Sequence, residues 1–183
     1  MPDILHGWTT TGLRGLAALL FGVGALLFTI VPVIHLVALF GAYALVDGTL
    51  ALAAARAGTG GAALKGFFVG EGLVGIGTGL VTFPLLPLWG IALPRLVGVW
   101  VLGTGVLRLG QDIRLRQDGH GGWLLALAGL TSLPVSYFLL VTPFQNELAL
   151  ALLRLMGAYA IGQGVILMVV ASRLHERENH RPA

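Results

Sequence analysis

Three ionisable residues stand inside otherwise apolar stretches of this sequence: Arg14, Asp47 and Glu71. A charge in such a setting is costly to bury, so each is by default a functional hypothesis. Asp47 lies nine residues before Arg56, and Glu71 lies six residues after Lys65. At a helical rise of about 1.5 Å per residue, they sit roughly 13 and 9 Å from those charged ends. Arg14, six residues after Trp8, falls at the depth of Glu71. One cation facing two acids can pair with one of them. The other is then desolvated, and a carboxylate so placed can bind or relay a proton. The same residues can instead form a hydrogen-bonded clasp that fixes helix order. Both readings stand.

A second set of candidates is His35, Arg95, Glu147 and Arg154. Histidine is the side chain whose unperturbed titration spans mild acidification. His35, just past Pro32, would face the far side of the membrane and could respond to its pH. Arg95 and Arg154 are expected to snorkel their guanidiniums to an interface. Other signals fail on context. Gly70-Glu-Gly-Leu-Val-Gly75 matches the dinucleotide fingerprint but lies in an apolar helix with no strand before it. His175 and His180 flank Glu176 and Glu178, yet offer no third fixed ligand for a metal. The run 108–120 mixes basic and acidic groups and reads as a solvated loop with affinity for anionic headgroups. The three serines have no base beside them and no nucleophile elbow around them. An enzyme is not expected, and neither is a cofactor or a metal.

The elements that must position these residues follow from composition. Of 183 residues 56% are apolar and only 10% are charged, against about 25% charged in ordinary soluble domains. The mean hydropathy is +0.90, more apolar surface than one core can bury. The chain is therefore read as an integral membrane protein. A net charge of only +3 also excludes a nucleic-acid binder. With no cysteine, disulfide scaffolds and thiolate sites are excluded.

A spanning helix needs about 20 mostly apolar residues. Six such stretches are predicted: 12–31, 33–55, 66–83, 91–109, 123–141 and 147–171. Pro32, the stretch 83–87 with its two prolines, and Thr142-Pro143-Phe144 separate three pairs, because proline removes a backbone donor and disfavours helix before it. The breaks at 56–65 and 111–122 carry charge and glycine. The first run lacks a basic leader and is long enough to span, so it is not read as a cleaved signal. Nine Lys and Arg fall on one side of this topology and only Arg95 and Arg154 on the other. That bias puts both termini in the cytoplasm, with Trp8, Trp123 and Trp89 as interfacial anchors. Residues 172–183 form a charged cytoplasmic tail on a single transmembrane domain.

An internal repeat runs through the chain. Gly41-Ala-Tyr-Ala-Leu-Val-Asp-Gly48, Gly98-Val-Trp-Val-Leu-Gly-Thr-Gly105 and Gly157-Ala-Tyr-Ala-Ile-Gly-Gln-Gly164 share one pattern and start 57 and 59 residues apart. Upstream, Arg14-Gly-Leu, Glu71-Gly-Leu and Ala128-Gly-Leu recur at a 57-residue spacing. Each repeat (about 12–55, 66–109 and 123–171) is then a helical hairpin. All three share one orientation around a pseudo-three-fold axis along the membrane normal, unlike inverted transporter repeats. The repeat makes Thr104 and Gln163 equivalents of Asp47, which completes a candidate polar layer of Arg14, Asp47, Glu71, Thr104 and Gln163. Glycines seven apart in each even-numbered helix lie on one face and admit a neighbouring backbone, or else line a pore.

Arg14-Gly-Leu-Ala-Ala-Leu-Leu-Phe-Gly, a proline-bounded turn, and then Phe40-Gly-Ala-Tyr-Ala-Leu-Val-Asp-Gly resemble the first repeat of the HdeD-type membrane proteins. The resemblance extends in three hairpins over nearly the whole chain. It implies a bacterial six-helix protein of the cytoplasmic membrane with a role in acid resistance, and it carries no catalytic or binding residues to transfer. Three functions are weighed. The first is a non-enzymatic inner-membrane protein supporting acid or envelope stress resistance. The second is a small proton or ion channel or transporter using the polar layer. The third is a structural or assembly partner for other membrane proteins. The partners expected are the lipid bilayer and, through the glycine-rich faces, a second copy or another membrane protein.

Overall fold

The computed structural model describes residues 7–27, 33–58, 61–84, 89–117, 123–141 and 146–179. These residues form six α-helices in chain order: α1 Gly7–Leu27, α2 Val33–Arg56, α3 Gly61–Thr82, α4 Trp89–Gln117, α5 Trp123–Val141 and α6 Asn146–Asn179. Each contains an apolar segment of 19 to 23 residues, long enough to cross a bilayer. Helices are the expected solution, because a backbone in hydrocarbon must satisfy its hydrogen bonds within its own segment. Where α2 ends, the Ala57 amide donates to the Ala53 carbonyl at 2.9 Å and Gly58 takes a φ of +70°. Only glycine enters that left-handed region without strain. The turns expected at Pro32, 85–87 and 142–144 lie outside the described residues.

Several helix ends differ from the sequence expectation, with α1 starting at Gly7 rather than 12 and α3 at Gly61, inside the break expected at 56–65. The break at 111–122 begins later, since α4 runs on to Gln117, and α6 continues through the charged tail to Asn179. Charge ends an apolar run without ending a helix, because Arg, Gln and Glu are good helix formers. The ring of Trp8 on α1 stands 4.3 Å from that of His175 on α6. The start of the first helix and the end of the last therefore share one end of the bundle.

Packing is closest in the pairs α1/α6, α2/α3 and α4/α5, and glycine is the reason. A Cβ on Gly72 would stand 2.9 Å from the Gly48 carbonyl oxygen, and one on Gly79 2.9 Å from that of Gly41. A Cβ on Gly129 would meet the Gly105 carbonyl oxygen at 2.9 Å. On the α1/α6 face, Gly22 faces the Gly157 carbonyl at 2.8 Å and Gly164 that of Gly15 at 2.8 Å on the same measure. These obstacles are backbone, so no side chain fits without parting the helices. Lipid supplies no hydrophobic drive between helices, and close contact of this kind is what holds them together. The glycine pairs seven apart in α2, α4 and α6 are thus spent on neighbouring helices within the chain.

Inside, Phe21, Phe40, Tyr43, Val97, Trp100 and Leu139 are among the buried core residues. Phe21 stacks on Tyr43 at 4.8 Å between ring centroids, while Trp100 meets Tyr43 and Phe40 edge-on at 5.7 and 5.5 Å. Such geometries add attraction beyond area burial. Tyr43 and Trp100, repeat-equivalent in sequence, pack against one another, and Tyr159 packs onto the same cluster.

Candidate functional site

One helical turn from this aromatic cluster, the polar residues of the even helices meet those of the odd ones. Asp47 follows Tyr43 by four residues on α2, Thr104 follows Trp100 on α4, and Gln163 follows Tyr159 on α6. A spacing of four keeps all of them on the inward face. Arg14 on α1 and Glu71 on α3 point in to join them. Asp47 is 0% exposed, Glu71 1%, Arg14 3% and Arg108 3%.

Arg14 holds both acids. Its Nε donates to Asp47 Oδ1 at 2.8 Å and its Nη2 to Asp47 Oδ2 at 3.2 Å. Its Nη1 donates to Glu71 Oε2 at 3.0 Å. The fork-on-carboxylate geometry suits the planar guanidinium and is among the stronger charged hydrogen bonds. Glu71 has a second cation: Arg108 Nε donates to Oε1 at 2.9 Å. Arg108 Nη1 also donates to Gln163 Oε1, and Gln163 Nε2 donates to the Ala128 carbonyl at 3.0 Å. Gln111 Nε2 makes a longer bond of 3.4 Å to Glu71 Oε2. Together these bonds run through α1, α2, α3, α4, α6 and the backbone of α5, touching all six helices.

Two expectations change. The layer holds two guanidiniums against two carboxylates, so neither Asp47 nor Glu71 lacks a partner. Arg108 is also not part of a solvated loop, because the α4 helix carries it inward. The signal was present: Arg108 lies four residues after Thr104, on the same inward face, and 57 residues after Ala51 in repeat register. Thr104 is buried in the same tier but returns its hydroxyl to its own helix, at 2.9 Å from Trp100 O and 3.3 Å from Val101 O.

The remaining candidates stay outside this layer. His35 is exposed near the start of α2. Arg95 and Arg154 are exposed on α4 and α6. The side chains of Glu147, Trp89 and Arg116, those of 177–179, and residues 180–183 with His180 lie outside what is described. Gly70–Gly75 sits within α3. Ser132, Ser136 and Ser172 donate to carbonyls of their own helices at 2.8, 2.8 and 2.9 Å. Among the described residues no cluster of three or more His, Asp or Glu could hold a metal ion. What the arrangement offers chemically is a buried network in which two guanidiniums match two carboxylates.

Fold and site together define a multi-pass helical membrane protein with six segments able to span. A family model described as a short repeat of unknown function (DUF308) matches residues 68–141. That stretch covers most of α3, all of α4 and all of α5. No curated protein and no solved structure matches the chain.

Proposed function

We propose that this chain is an HdeD-type, non-enzymatic protein of the bacterial cytoplasmic membrane that supports acid or envelope stress resistance. Its buried ionic layer serves as the clasp of a six-span bundle. HdeD proteins belong to the short-repeat family that matches residues 68–141. The observation that carries the reading is the hydrogen-bonded network of Arg14, Asp47, Glu71, Arg108 and Gln163, buried in the bundle and tied to every helix. A carboxylate that exchanges protons during transport needs a wet path to it. A cavity that touches Arg108 and Gln163 reaches neither acid.

The reading includes three parallel hairpins around a pseudo-three-fold axis, with both termini in the cytoplasm. The axis draws support from the glycine contacts: the second helix of each repeat meets the first helix of the next, and the last returns to the first. The orientation draws support from Lys and Arg. With Arg14 and Arg108 in the interior, seven basic residues remain on the terminal side against Arg95 and Arg154 on the other. His35 would then meet periplasmic protons.

The test pairs acid survival of cells expressing the chain with proton flux into proteoliposomes under an imposed pH gradient. The expected result is protection in cells with vesicle leak no greater than that of protein-free liposomes. A flux abolished by Asp47→Asn or Glu71→Gln would replace the clasp with a transporter.

A further inference from the structure

On the side of the ionic layer away from the termini, the bundle axis is not filled. A void lies among Tyr43, Trp100, Val101, Tyr159, Arg108 and Gln163. It leaves about 20 Å³ for the centre of a water-sized sphere. A single water needs roughly 10–15 Å³ on that measure. Trp100 is 4% exposed, and its Nε1–H is buried with no hydrogen-bond partner among the described residues. An indole N–H is only a donor, and a buried donor left unmade forfeits the bonding it had in water.

We propose that this axial void is a hydration site, occupied by a water that accepts from Trp100 Nε1–H and bonds onward to the polar groups around it. The void and the orphan donor are separate observations, and the tryptophan that carries the donor lines the void. A buried water characteristically makes about three hydrogen bonds to otherwise unsatisfied groups. Arg108, Gln163 and the two tyrosines line the same space as the indole. The other occupants fit badly. The walls are mostly apolar, so an ion would lose hydration without replacement. The neighbouring guanidiniums are already matched by two carboxylates. The consequence is a wet pocket that reaches Arg108 and Gln163 of the ionic layer and touches neither Asp47 nor Glu71. This inference does not depend on the clasp reading: a hydrated axis is compatible with a sealed layer or a conducting one.

The experiment uses the full chain in lipid nanodiscs with ¹⁵N-labelled indoles. The sequence has four tryptophans. Trp8→Phe, Trp89→Phe and Trp123→Phe each remove one resonance and leave Trp100 assigned by elimination, with Trp100 itself intact. The expected result is a Trp100 indole proton shifted downfield as in a hydrogen bond, with a magnetisation-transfer peak to water. Ala160→Val, which adds bulk to a residue lining the void, should abolish that peak. An upfield indole with no transfer to water in the unsubstituted chain overturns the proposal. So does a transfer peak to lipid acyl protons in place of water.

Discussion

The two tiers of the bundle axis are one helical turn apart, yet they obey different rules. In the aromatic tier the three repeats supply similar residues: Tyr43, Trp100 and Tyr159. In the polar tier they differ, with Asp47, Thr104 and Gln163 on the even helices and Arg14, Glu71 and Ala128 at the matching place on the odd ones. Rings tolerate repetition, because edge-on and stacked contacts can be made by like with like. Charges do not. Three copies of one ionised group at the axis would face one another across a few ångströms with little solvent between them. Divergence between the repeats is one way for a repeated scaffold to hold a charge-matched buried layer. Arg14 against Asp47, and Glu71 between Arg14 and Arg108, is that divergence.

The comparison breaks most sharply at Arg108. Arg108→Ala leaves one guanidinium for two buried carboxylates and strips Gln163 Oε1 of its donor. Removing one partner of a buried pair costs about 3–5 kcal/mol. The expected outcome is a large drop in thermal unfolding midpoint and in monodisperse yield from detergent. Trp100→Phe in the aromatic tier should cost clearly less. Equal losses would mean that the ionic tier is no more binding than the rings beside it.

Glu71→Gln comes next. The shape survives, but Glu71 accepts on both oxygens, from Arg108 on one and from Arg14 and Gln111 on the other. An amide can accept on one side only and turns a donor toward a guanidinium on the other. A buried polar group left unsatisfied costs about 1–3 kcal/mol. Read from sequence alone, this substitution is mild if the layer is structural, since it keeps the shape and most hydrogen bonds; the second cation changes that. Unfolding by denaturant, with the unsubstituted chain as reference, should rank it between Arg108→Ala and the aromatic changes.

The helices were readable because apolar length is what a bilayer demands, and the glycine spacing was readable because seven residues are close to two turns. Which helix each glycine face would meet was not readable. Spacing places Gly41 and Gly48 on a common face but says nothing of Gly79 and Gly72, which lie on another helix. Arg14, Asp47 and Glu71 stood out as charges in apolar runs. Arg108 did not, because it opens a charged run in which the first charge reads as the membrane edge. Only the inward register shared with Thr104 separates it from Arg114, which is exposed six residues later. Depth along a helix can be counted from a sequence, whereas the facing of a residue near the end of a span depends on where the helix stops.

The smallest effect distinguishes a wet axis from a dry one. Ser132 and Tyr159 share a hydroxyl–hydroxyl bond of 2.6 Å across the gap between α5 and α6. Ser132 also donates to Ala128 O at 2.8 Å, so Tyr159→Phe leaves the serine partnered. Losing one such bond costs about 0.5–1.5 kcal/mol. Ser132→Ala is more informative, because it takes the partner from a tyrosine that lines the axial void. If water occupies that void, the Tyr159 hydroxyl finds a replacement acceptor or donor, and the substitution should stay within about 1 kcal/mol of the unsubstituted chain, since water-mediated bonds are nearly as good as direct ones. If the void is dry, the hydroxyl is stranded and the cost rises toward about 1–3 kcal/mol. Paired unfolding curves for Ser132→Ala and Tyr159→Phe therefore measure the difference between the tiers. A serine variant no worse than the tyrosine variant places solvent in the aromatic half, and a markedly worse one removes it.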